Sequence, residues 1–219
     1  MRSWVLILSG ILAAAFPLAA GTREDAYADL RNEAHATKLI DQASADIKAH
    51  RYEAALKKAD EALALQPGNA IALNARGAAL TELRRFPEAE KALDAAVAAD
   101  PKSFPQQFNQ GELLALQKKY SDATVQFDVL QGRFGPLPIL KYKIYLCYAL
   151  NNQPDRAAEA LANLRFPQDG AAWYFAQAAD RLMAGKKSEA NRYISAAEAI
   201  DDENAQTYRD TLVDAGLLK

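Results

Sequence analysis

The sequence predicts an all-α fold: a right-handed α-solenoid of about five helix hairpins, ended by a C-terminal capping helix. The first observation behind this is a period of 34 residues. Arg51-Tyr52-Glu53-Ala54-Ala55 aligns with Arg85-Phe86-Pro87-Glu88-Ala89 and with Lys119-Tyr120-Ser121-Asp122-Ala123. The second is that Gly77 and Gly111 keep the same interval, as do Pro67 and Pro101, each proline following an alanine-rich helical run. The third is composition: the 219 residues are 50% hydrophobic and 25% charged, with 10 Gly and 9 Pro, a balance that excludes disorder and collagen-like fibres. A formal charge of −2 supplies no basic field for phosphates, which argues against nucleic acid as a partner.

In chain order, residues 1–20 have the grammar of a secretory leader: Arg2, an apolar run from Trp4 to Phe16, then Pro17 and small residues. The expected cut follows Ala20 or Gly21, which predicts a periplasmic or secreted chain; retention as an anchor is the second reading, since a span needs about 20 apolar residues. Residues 21–35, polar with Tyr27 and Leu30, are an initial helix or a flexible lead-in. Repeats then follow at 36–69, 70–103, 104–137, 138–170 and 171–203. Repeat three ends on Gly135-Pro136 with Gly132 inside its second helix, which predicts a loosened junction. Repeat four departs furthest, with Tyr145 in the small-residue position and Pro154 in the aromatic one. Residues 204–219 place Tyr208, Leu212 and Val213 on one side and Arg209, Asp210 and Asp214 on the other, as a capping helix over the last hairpin would.

Leu73, Gly77, Leu80, Phe86, Ala89, Leu93, Ala96 and Pro101 of repeat two follow a pattern that resembles the tetratricopeptide repeat family in an exported bacterial form. The resemblance implies two antiparallel helices per repeat, A and B. Small residues at Gly77, Ala89, Gly111 and Ala123 let paired helices approach, and Pro67 and Pro101 close units.

Chemistry is sparse. His35 and His50 are the only imidazoles, and neither sits in a metal-ligand or nucleophile pattern. Cys147 is a single cysteine between Leu146 and Tyr148, expected to be a buried apolar residue, so no intramolecular disulfide forms. Neither a phosphate loop nor a nucleophile elbow is present. We therefore expect no enzymatic activity, no cofactor and no metal.

What remains is recognition by shape. The family resemblance implies that A helices line a concave groove, and the corresponding positions here are Ile40, Asn74, Phe108, Tyr142 and Phe175, with Ile71, Ile139, Leu146 and Leu182 beside them. Such a lining predicts an apolar peptide or helix as ligand. The basic clamp that some members use for chaperone tails is absent: Ile40, Ser44, Ala75, Pro105 and Asn109 stand in its place. Lys141 and Lys143 are expected at the wet edge of a helix. The sequence thus predicts a noncatalytic adaptor that binds a protein partner, with a cell-envelope assembly component as the implied kind. A holdase for exported chains is the alternative, and self-association stays open.

Overall fold

A left-handed backbone residue recurs through the chain at the repeat interval: His50, Arg84, Lys118 and Asn152 have φ of 55°, 59°, 62° and 54°, and Gly185 has 76°. Each ends one helix and turns the chain into its antiparallel partner, whose first residues follow at once. The computed structural model describes residues 23–200 and 202–219. Its helices are α1 (Arg23–Lys48), α2 (Tyr52–Leu65), α3 (Ala70–Glu82), α4 (Phe86–Ala99), α5 (Phe104–Leu116) and α6 (Tyr120–Phe134). They continue with α7 (Pro138–Leu150), α8 (Pro154–Asn163), α9 (Gly170–Met183), α10 (Lys187–Ile200) and α11 (Asp202–Asp214). Odd-numbered α1 to α9 are the A helices, even-numbered α2 to α10 the B helices. The leader expected at 1–20 lies outside the described residues. From Arg23 onward the lead-in is helical and continuous with α1, and Tyr27 and Leu30 stand exposed on it.

Within a hairpin, residues 16 positions apart meet face to face. A Cβ on Gly77 would lie 2.6 Å from the Leu93 side chain, and one on Gly111 would lie 2.5 Å from the Phe127 ring. The missing side chain on the A helix is therefore filled by a large one from the B helix. Repeat one instead matches Ala43 with Ala59, both fully buried with Ala75 nearby. Alanine-rich repeats one and two have small separate cores, whereas repeats three to five and α11 share one large core that includes Phe127, Leu140, Tyr145 and Leu212.

Neighbouring A helices touch directly, α1 with α3, α3 with α5 and α7 with α9, while successive B helices make no comparable contact among the described residues. The A helices therefore form the inner, concave wall. The exception is the junction after repeat three. Gly135 leaves α6 with φ of 88°, Pro136 follows, and α5 and α7 lack the close packing that the other inner neighbours keep. No helix among the described residues is long and apolar enough to cross a membrane.

Candidate partner groove

The inner wall is not empty, because α11 lies against it. A cap over the last hairpin was expected of residues 204–219, and α11 does pack on α9 and α10. It then runs back along the concave side. The buried stripe is Ala205, Tyr208 and Leu212, spaced for one helix face, while Val213, expected on that face, is exposed. Tyr208 stacks on Phe175 with centroids 5.6 Å apart and meets Tyr142 edge-on at 5.2 Å. The Tyr142 hydroxyl donates to the Tyr208 carbonyl at 3.2 Å.

The polar side of α11 reaches further. Lys143 Nζ donates to Thr211 Oγ1 at 2.7 Å and pairs with Glu112 on α5, 5.9 Å from the Phe108 ring centre. Arg84 holds Asp214 at 3.2 Å, and His50 stands 3.6 Å from Asp210. The left-handed turn residues of repeats one and two thus present their side chains to the last helix. Lys143 is only 5% exposed, which corrects the expected wet edge: the gap between α5 and α7 draws it inward to a carboxylate. Lys141, likewise, is partly buried and binds both oxygens of Asp169, at 2.9 and 3.0 Å.

The predicted groove residues divide into three groups. Tyr142 and Phe175 are 0% exposed and Leu146 is buried, all on the stretch of wall that α11 follows, so the apolar floor expected to be open is covered by the chain itself. Ile40 is not on the groove: it packs with Ala36, Ala62 and Ala72 between the first three helices, because a β-branched side chain fills the space that alanines leave there. Ile71, Asn74, Phe108 and Ile139 keep some exposure, Ile71 the most. Asn109 Nδ2 donates to Asn74 Oδ1 at 2.9 Å, tying α5 to α3, and Phe108 stacks on Phe104.

Between α11 and the first three A helices a cleft of about 240 Å³ stays open, lined by Lys48, His50, Glu82, Phe108, Asn109 and Asp210 among others. Burial, reinforced by the charges of Asp214 and Glu112, raises the Glu82 carboxyl to about 7. Burial raises Asp214 as well, against the pull of Arg84 and Lys143. On the other side of α11, burial pushes the Cys147 thiol up to about 12, leaving it protonated and poorly nucleophilic at neutral pH. Among the described residues no group of three His, Cys, Asp or Glu is placed to hold a metal ion. The site offers surface complementarity and hydrogen bonding, with no nucleophile beside a base.

Sequence reasoning missed Glu82, Glu112, Lys143 and the acidic side of α11 as groove residues. The one usable signal was the Ala205–Tyr208–Leu212 stripe, flanked by Asp210 and Asp214, opposite cations recurring at each turn.

The family model for the tetratricopeptide repeat matches residues 40–104. No curated protein gives a significant match to the sequence. Among solved structures, a tetratricopeptide repeat protein of Parabacteroides merdae is similar at a TM-score of 0.65 and 21% identity, over 83% of this chain and 71% of its own. A thermophilic one from Thermus thermophilus gives 0.64 and 21%, over 84% of this chain and 100% of its own. YrrB, described as a tetratricopeptide repeat protein with an unusual peptide-binding site, gives 0.52 and 18%, over 84% and 97%. At these identities the likeness carries the fold alone. Residues 40–104 thus carry the tetratricopeptide repeat in sequence, and the described chain has the α-solenoid fold of solved tetratricopeptide repeat proteins.

Proposed function

We propose that the chain is a noncatalytic scaffold of the cell envelope that recruits one defined protein segment along its concave face. The observation that carries this reading is the open cleft beside α11, where the partly exposed ring of Phe108 meets hydrogen-bonding groups from three A helices. A cleft of about 240 Å³ with fixed polar groups suits one matching side-chain set better than the varied chains a holdase must shield. The peptide-binding site ascribed to YrrB supports the same mode of use for a related fold. The leader-like run of residues 2–20 supports the envelope assignment.

The test is in-cell photocrosslinking from Ala78 and Asn109, both on the cleft wall, with mass spectrometry of the adducts. One dominant partner is expected. A broad population of exported chains would replace the scaffold reading with the holdase, and no adduct from either position would remove the cleft as the working surface. Fractionation checks the location: an envelope protein beginning after Ala20 or Gly21 is expected, and a full-length cytosolic one overturns it.

A further inference from the structure

α11 touches the inner wall in the manner of a bound helix. Its grip has two parts. Tyr208 and Leu212 bury against an aromatic floor, and Thr211, Asp210 and Asp214 answer Lys143, His50 and Arg84 in turn. The second part is weak: His50, Arg84 and Asp210 are each at least a third exposed, where such pairs contribute little against water and salt. Among the described residues of α11 the first part rests on two large side chains, with Leu217 and Leu218 partly buried on the same core just beyond its end. A helix of 13 residues has little helical stability of its own once its packing is lost. The open cleft runs along the polar side of α11, so an incoming segment has a place to land before α11 leaves.

We propose that α11 is a resident, displaceable occupant of the partner groove, and that the partner presents a helix of the same chemistry. That helix carries an aromatic ring for the Tyr142–Phe175 pocket, followed three and six positions later by a hydroxyl for Lys143 and a carboxylate for Arg84. The wall's cations, aimed at acidic and hydroxyl groups of α11, argue for such a partner by charge complementarity. The proposal rests on the groove reading above and sets the partner's apparent affinity: the intrinsic value is weakened by the fraction of chains in which α11 has lifted.

The test uses the full chain and a fluorescent peptide of residues 202–219. Tyr208→Ala loosens α11 without altering the wall, and is expected to bind the peptide about tenfold or more tightly than the unaltered chain. Adding Arg84→Glu to that variant should weaken the peptide severalfold, and a peptide with Asp214→Arg should recover the loss. Equal binding by unaltered and Tyr208→Ala chains of equal helical content overturns the proposal. Should Tyr208→Ala not fold, hydrogen exchange on the unaltered chain decides: α11 amides exchanging at least tenfold faster than those of α7 and α9 uphold displacement, and equal rates overturn it. A concentration-dependent dimer of the unaltered chain that the peptide dissolves assigns the groove to a second copy, and overturns a foreign partner. Failure of crosslinking from Ala78 and Asn109 with tight peptide binding would remove the scaffold reading alone.

Discussion

Lys143 on α7 pairs with Glu112 on α5 across the one inner junction where neighbouring A helices lose direct packing. The pair replaces helix contact with a charge, and Thr211 completes the Lys143 ammonium from α11. Lys143→Ala should lower stability by about 2 kcal/mol, less than for a fully buried pair because the Glu112 side chain keeps 26% of its surface in water. Chemical denaturation checks this. Lys143→Ala with Glu112→Ala should cost less than the sum of the single losses, since each removes the same interaction.

Glu82 imposes a pH dependence of defined sign. Its carboxyl titrates near 7 in the folded chain against 4.5 when unperturbed, so between those values the folded state holds the extra proton. Stability from this group therefore falls as pH rises from about 4.5 to 7 and is level above. Asp214 and Glu112 face it as like charges, with Arg84 and Lys143 opposing them, and Tyr52 also lines the cleft. Glu82→Gln should melt higher than the unaltered chain at pH 8 and lose that advantage by pH 4.5. A constant difference across the range would mean that Glu82 ionises as freely in the folded chain as in the unfolded one.

Lys118 occupies a left-handed turn, φ 62°, that glycine adopts without strain. Its side chain is exposed, unlike the turn positions of Arg84 and His50 in having no ion pair to α11. Lys118→Gly is expected to stabilise by about 1 kcal/mol, read as a higher melting temperature. The same change at Arg84 should gain less, because Asp214 loses its partner.

Gly111 lies under Phe127, and the ring leaves no room for a methyl. Gly111→Ala should destabilise by about 1–3 kcal/mol in spite of alanine's better helix propensity. Pairing it with Phe127→Leu should recover part of the loss. Thermal melts of the three variants are sufficient to decide.

The hairpins were legible because each depends on neighbours within one period. The Gly77–Leu93 and Gly111–Phe127 pairs lie 16 residues apart, and the turns recur at 34, so local spacing carries the signal. Ile40 was misread because helix position alone does not say how far alanine-rich neighbours collapse around it. Lys143 was misread because its burial follows from the gap opened by Gly135 and Pro136, a property of two helices and not of one.

By itself the sequence determined the repeat and the antiparallel pairing of its helices, since both arise from contacts between nearest neighbours in the chain. Only the tertiary structure decided where α11 goes. Tyr208 reaches Tyr142 across 66 positions and Asp214 reaches Arg84 across 130, distances set by the summed curvature of the hairpins between them. Curvature accumulates from small packing differences at every junction, and no local pattern of residues records the sum.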